Sequence, residues 1–258
     1  MLDTSVSAPE ILKSNEAAKF VLSADSESKK DTSALPEIGA KEFEVLCKSL
    51  DKRSCSYRVI KRAFDIVFSL CVIAIGFIPC VLLSIAIAID TKGSPIYSQV
   101  RVGKWGRPFR IYKFRTMVAD SDDVEKHLNE EQLRQWHCEH KVDDDPRITP
   151  LGKKLRSTSI DEIPNFINVL KGDMSIIGPR AVSCEEIKWF GDAAKTLLSV
   201  PAGITGLWQA TRRNNATFES GERQEIELEY VRNAGFTMDV RIFFTTFGVM
   251  FGKRRSGR

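Results

Sequence analysis

"IVFSLCVIAIGFIPCVLLSIAIAI", Ile66 to Ile89, contains no charged residue. A helix needs ~20 apolar residues to cross the hydrocarbon core of a bilayer, so the run is long enough to be a membrane element. Hydropathy alone reads it as one transmembrane span. The flanks argue for a different path. Arg58, Lys61 and Arg62 precede the run, and Lys92, Arg101, Lys104, Arg107, Arg110, Lys113 and Arg115 follow it. Basic residues beside a membrane segment favour the cytoplasmic side. A simple span would export one cluster, whereas a helix that bends and returns keeps both inside. Pro79 supplies the bend, because it lacks an N–H and its ring crowds the Ile75 carbonyl. Gly76 lowers the cost of bending. Residues 57–92 are therefore expected to form a re-entrant helix in one leaflet.

On the N-terminal side, residues 1–56 are rich in Ser, Ala, Glu, Lys and Asp and poor in aromatics. A stretch such as "SADSESKKDTSALPE" cannot bury enough apolar surface to offset its ordering entropy, so this extension reads as disordered. Within it "KEFEVLCKSL" has the spacing of a short amphipathic helix. The start is not that of a signal peptide, which would place an apolar stretch after a basic patch. The 258 residues suit one domain with appendages, and a net charge of +4 demands no nucleic-acid partner. The six cysteines form no CxxC pair and read as unpaired thiols in a reducing compartment.

On the C-terminal side, "RVGKWGRPFRIYKFRTM", Arg101 to Met117, interleaves cations with Trp105, Phe109, Tyr112 and Phe114. Alternation from Phe109 to Phe114 predicts a strand. Such a collar suits the headgroup layer of a membrane and equally a phosphate site, and the two readings are compatible. The polar segment "ADSDDVEKHLNEEQLRQWHCEH", Ala119 to His140, reads as solvated helix. Its three histidines have no zinc-ligand spacing.

"SIDEIPNFINVLKGDMSIIGPR", Ser159 to Arg180, sets two carboxylates side by side before an apolar run. Ser159 and Glu162 fit a capping box. Ile160, Ile163, Ile167 and Leu170 recur at helical spacing as one buried stripe, and Gly172 closes the helix. On that reading Asp161 merely complements the positive helix end. The chemical reading starts from the neighbours, with Arg147 and Arg156 before the pair and Arg180 after it. An ionised carboxylate can attack phosphorus, and a second one can hold Mg²⁺, which is usually bound by one or two carboxylates plus substrate phosphates.

Taken in order, "KRAFD" (Lys61 to Asp65), "YKFRTM" (Tyr112 to Met117), "DDPRIT" (Asp144 to Thr149), the Ser159–Arg180 segment and "GITGLWQ" (Gly203 to Gln209) resemble one family. They are similar to the small monotopic polyprenyl-phosphate phosphoglycosyl transferases of bacteria, of the type that starts exopolysaccharide synthesis. The likeness runs from about residue 58 to the end. It implies transfer of galactose or glucose 1-phosphate from a UDP-sugar to undecaprenyl phosphate at the cytoplasmic face of the inner membrane, with release of UMP. Asp161 would be the nucleophile and Glu162 its partner, the pair holding Mg²⁺. Lys113, Arg115, Arg147, Arg180, Gln209, Arg213 and Asp239 would surround the substrate. The rival expectation is a non-catalytic membrane scaffold of a glycan assembly complex, which a missing carboxylate would have favoured.

The chain departs from the family pattern at Ile78-Pro79, usually Ser-Pro, at Ala181 after "GPR", and at Arg212, where a glycine is frequent. "FTMDVRIFFTTFGVMFG", Phe236 to Gly252, is too short and polar to span, and "KRRSGR" follows it. Residues 236–258 thus read as an interfacial helix with a basic tail for anionic lipid. The whole is expected to be an α/β monotopic membrane protein with a cytosolic catalytic domain at residues 93–235 and the capacity to form a homo-oligomer.

Overall fold

The computed structural model describes residues 38–139, 142, 144–211 and 220–251. Residues 1–37, His140, Arg212, Arg213 and the tail from Gly252 lie outside the described residues. Helix α1, Lys41–Leu50, buries Phe43 and Cys47 in the main core. The N-terminal extension is therefore not disordered as far as residue 56. Two apolar residues four apart dock "KEFEVLCKSL" onto the globular part, giving the amphipathic stretch the partner that a lone helix lacks.

Helix α2 runs from Cys55 to Thr91, with Ser54 Oγ accepting the Tyr57 N–H at its start and Pro79 inside it. It is long and apolar enough to cross a membrane. Ile75 is 82% exposed and Ile89 74%, as for surface meant for lipid rather than for core. Both arms of α2 touch the globular part. On the first arm Asp65 accepts the Ile176 N–H (3.0 Å), and Arg62 donates to the Val169 and Leu170 carbonyls. On the second, Ile87 is fully buried with Phe114 and Leu155, and Cys80, Leu83 and Ile163 pack against that cluster.

Strands β1, Ile96–Val102, and β2, Pro108–Phe114, form an antiparallel hairpin in the register Ile96 to Phe114 and Val102 to Pro108. β2 is the strand expected from the alternation, with Phe109, Ile111 and Phe114 turned into the core. The polar segment after it forms α3, Val124–His127, and α4, Glu130–Glu139. Helix α5, Pro150–Thr158, is capped by Thr149, whose Oγ1 accepts the Gly152 N–H. A Cβ on Gly152 would stand 2.0 Å from the Thr116 carbonyl oxygen, so only glycine lets α5 lie against the end of the "FRTM" segment.

The carboxylate segment then differs from the expected capping box. Ser159 has φ 56°, and its N–H donates to the Arg156 carbonyl to close α5. Its side chain caps nothing, and Ile160–Glu162 forms a single 3₁₀ turn. Helix α6, Asn165–Lys171, starts only after Pro164 and ends at Gly172 in the left-handed conformation, as expected. The expected buried stripe is also corrected. Ile160 and Ile167 are exposed, while Asn165, Asn168 and Val169 face inward. The reason is Asn168, whose Oδ1 accepts the Tyr112 N–H and whose Nδ2 donates to the Arg110 carbonyl, turning an amide toward β2.

Strands β3, Met174–Ile177, and β4, Ala202–Thr205, pair in parallel, linked by a 3₁₀ segment, Glu186–Ala193, and the short helix α7, Ala194–Leu197. Helices α8, Leu207–Thr211, α9, Glu222–Asn233, and α10, Phe236–Phe251, complete the fold. α10 buries Ile242 and exposes Phe236 and Phe244, and its Phe243 ring packs edge-on against Phe64 and Phe68 of α2.

Candidate active site

Three glycines bring the ends of β3 and β4 into backbone contact. A Cβ on Gly203 would lie 2.2 Å from the Gly178 nitrogen, and one on Gly206 would lie 2.2 Å from the Gly178 oxygen. No side chain fits there, so "IIGPR" and "GITGLWQ" are pressed together. Arg180 bridges Gly203 and stands beside α8, its guanidinium 5.7 Å from the Trp208 ring. Facing it, the amide of Asn168 pins β2 to α6 and thereby sets Lys113 opposite Glu162. Lys113 Nζ donates to Glu162 Oε1 at 2.7 Å.

These elements enclose one cavity. Lys113, Glu162, Arg180 and Gln209 line it, together with Tyr97, Gln99 and Arg101 of β1 and with Asn165. Asp161 precedes Glu162 on the same tight turn. Its charge acts on Arg156, whose guanidinium is pushed to a lower pKa by burial, with Asp161 opposing that shift. Arg156 Nε donates to Thr116 Oγ1 at 2.8 Å.

The other expected residues stand elsewhere. Arg115 donates to the Ser94 carbonyl and sits 5.8 Å from the Tyr97 ring, at the edge of the cavity rather than in it. Arg147 is 2% exposed and forms a two-point pair with Asp145 at 2.8 and 2.6 Å, which holds the "DDPRIT" loop in place. That pairing keeps the Asp145 carboxyl below its ordinary range despite the upward push of burial. Asp239 is 8% exposed and accepts from Lys61 Nζ and Tyr57 OH, both at 2.6 Å, and from Tyr230 OH at 2.9 Å. It ties α2, α9 and α10 together. Arg213 lies outside the described residues.

Sequence reading missed the charges behind Arg180. Arg101 donates to Glu186 Oε2 at 2.7 Å, and the Arg223 guanidinium lies over the Trp208 ring, 4.2 Å from its centre. Glu227, 2% exposed, accepts the Arg180 backbone N–H at 3.1 Å. Burial pushes the Glu227 carboxyl up to about 7. Burial also pushes Glu186 up, but Arg180 and Arg101 outweigh it, and the Glu186 carboxyl stays below its ordinary range. The only sequence signal for this network was "QVR" at period two on β1.

Residues 56–253 match the family model of the bacterial sugar transferases. The chain belongs to that family. It is 39% identical over 212 residues to the undecaprenyl-phosphate galactose phosphotransferase of Salmonella typhimurium, a match covering 81% of this chain and 43% of that protein. It is 38% identical over 211 residues to the galactosyl transferase CpsE of Streptococcus agalactiae, covering 81% and 46%. Against the exopolysaccharide production protein ExoY of Rhizobium meliloti it is 35% identical over 190 residues, covering 72% of this chain and 83% of that one. The chain thus spans about half the length of the first two relatives. In this member of the family three of the five motifs that carry the likeness line the cavity, "YKFRTM", the carboxylate segment with "GPR", and "GITGLWQ", while "KRAFD" braces β3 through Asp65.

Proposed function

We propose that the chain transfers a sugar 1-phosphate from a UDP-sugar to undecaprenyl phosphate, releasing UMP, as the first step of exopolysaccharide or capsule synthesis. The observation that carries this reading is the cavity that gathers Lys113, Arg180 and Glu162, with Asp161 next to Glu162 on the same turn, in a chain that carries a long apolar helix. Cations on both walls suit a diphosphate, and the carboxylates supply the nucleophile and its partner. Two of the relatives carry galactose in their names, so UDP-galactose is the first donor to test.

In the reaction so read, Asp161 Oδ attacks the β-phosphorus of the UDP-sugar. The bond from that phosphorus to the bridging oxygen breaks, and UMP leaves with the electron pair. The sugar phosphate is then held on the aspartate as an acyl phosphate. A phosphate oxygen of undecaprenyl phosphate attacks the same phosphorus, the aspartyl O–P bond breaks, and the carboxylate is restored. Lys113 and Arg180 hold and screen the negative charge on the phosphates during both displacements.

The Asp161-Glu162 pair fits Mg²⁺ as that ion is commonly bound, through one or two carboxylates with substrate phosphates completing the shell. Among the described residues no group of three or more acidic, His or Cys side chains forms a closed cage, which is the arrangement a resident, substrate-independent ion would need. When bound, Mg²⁺ would neutralise diphosphate charge.

The reading places the reaction at the cytoplasmic leaflet, on a helix that enters and leaves the membrane on the same side. Two contacts support the bend. Arg62 grips the carbonyls at the C-terminal end of α6, and Ile87 sits in the cluster that takes Ile163 just before α6. In a straight helix Arg62 and Ile87 would be about 37 Å apart at 1.5 Å per residue, whereas Ile163 and Leu170 are only ~10 Å apart along helical backbone. The exposed Ile160 and Ile167, with Phe236 and Phe244 of α10, support a globular part resting on the membrane surface.

The test is UMP release by the purified full chain from a panel of UDP-sugars with undecaprenyl phosphate. With sugar-labelled UDP-galactose alone, the wild type should become labelled on the peptide holding Asp161. Folded Asp161→Asn protein should lose turnover by many orders of magnitude, and near-normal turnover would sink the covalent mechanism.

A further inference from the structure

Three polar atoms on residues that line the cavity have no hydrogen-bond partner among the described residues: Asn165 Oδ1, Gln209 Oε1 and Arg180 Nε. Buried polar atoms are nearly always paired, and each exception asks for an explanation such as a bound group. Here three of the exceptions belong to residues that line one cavity. Asn165 is 2% exposed and follows Glu162 by three residues, with Ile163 and Pro164 both helical, so the two side chains share a face. Gln209 comes from another wall, on α8. Its Nε2 donates to the Ile204 carbonyl at 3.3 Å. Its Oε1 lies 3.0 Å from where a Cβ of Gly206 would be, so the missing side chain at 206 leaves room for that orientation.

The chemistry of the three atoms selects a class of ligand. An amide oxygen only accepts, and phosphate oxygens at neutral pH accept too, so the unpartnered oxygens of Asn165 and Gln209 do not match phosphate. A hydroxyl matches both sides, because it donates to an amide oxygen and accepts from a guanidinium N–H. We propose that Asn165 and Gln209, with Arg180 Nε in the same cavity, form a subsite that reads the hydroxyls of a ring on the donor. That ring is either the transferred sugar or the ribose of the nucleotide. A site built to bond a hydroxyl discriminates strongly, because a donor lacking it leaves the buried amides unpaired. The proposal deepens the transferase reading and rests on it.

The experiment compares wild type, Asn165→Ala and Gln209→Ala for UMP release from UDP-galactose, with UMP as competing inhibitor and thermal unfolding as the control for folding. The expected result is a KM for UDP-galactose raised tenfold or more in each variant, with kcat within a few-fold. Unchanged inhibition by UMP then assigns the subsite to the transferred sugar. UMP inhibition weakened in proportion assigns it to the ribose. Should Asn165→Ala fail to fold, Gln209→Ala, on a short half-buried helix, carries the same comparison. A KM within twofold of wild type in a folded variant overturns the proposal, leaving the amides to bind water alone. A wild type that releases no UMP from any UDP-sugar sinks the transferase reading itself, whereas an active wild type with unaltered variants sinks only the subsite.

Discussion

Replacing Glu227 by glutamine should stabilise the protein, and only at higher pH. Glu227 is almost fully enclosed, and burial raises its carboxyl from the ordinary 4.5 to about 7. A carboxyl whose folded pKa is raised contributes stability that is complete below the unfolded pKa and is lost as pH climbs through the folded one. The window is therefore pH 4.5 to 7, and a shift of that size corresponds to about 3 kcal/mol at ~1.4 kcal/mol per unit. The groups that face Glu227 are Arg180 and Arg223, which favour its anion, and Glu186, which opposes it. Their influence is already contained in the raised value. Glutamine is neutral throughout and keeps an oxygen for the Arg180 N–H, so Glu227→Gln should match wild type near pH 5. At pH 8 it should unfold later by ~6–12 °C, taking 2–4 °C per kcal/mol for a domain of this size. The assay is thermal unfolding of the membrane-reconstituted chain across pH 5 to 8, comparing the two proteins at each pH so that all other titrating groups cancel. A difference in midpoint that stays constant from pH 5 to 8 would refute the reasoning.

Asn168→Ala leaves the Tyr112 N–H and Arg110 carbonyl without their partner in a buried site, and should cost about 2–5 kcal/mol, read as a lowered unfolding midpoint. Gly203→Ala would force a Cβ to within 2.2 Å of the Gly178 nitrogen and should give no soluble, folded protein after extraction, whereas Gly248→Ala, with open space around it, should purify normally. Chelation should abolish UMP release and added Mg²⁺ should restore it; full turnover in excess chelator would remove the ion from the mechanism. Single cysteines near residues 58 and 104, in a background lacking other exposed thiols, should both resist a membrane-impermeant reagent added outside intact cells. Labelling of one alone would mean a helix that spans.

Much of this was legible in the sequence because the signals were local. An uncharged run with a proline in its middle marked α2, alternation marked β2, and a glycine after "NVLK" marked the end of α6. The errors came where a residue took a partner that the local pattern does not name, near or far. The isoleucine stripe looked like a buried face, yet Asn168 spends its amide on two backbone groups of β2, 58 and 56 residues away in sequence, and so claims the inner side. Ser159 looked like the N-cap of α6, but it is the left-handed stop of α5. Arg147 looked like one more phosphate cation until its partner proved to be Asp145, two residues back. Lys113, Glu162, Arg180 and Gln209, which motif order singles out, do line one cavity. Glu227, by contrast, sits in a run of glutamates, "EIELEY", and nothing local distinguishes the one that turns inward.

The bond between Lys61 and Asp239 sets a schedule for synthesis. The two residues are 178 apart in the chain, and Lys61 lies on the long apolar helix that is synthesised early. At roughly 5–20 residues per second, a ribosome delivers Asp239 some 10–35 s after Lys61. Throughout that interval Lys61 has the charge of Asp65, one turn further along α2, beside it, but not the 2.6 Å bond that ties it to α10 in the folded chain. α2 thus waits without its tie to α10 until the last helix arrives, and a chain that stops short of residue 239 never forms that tie.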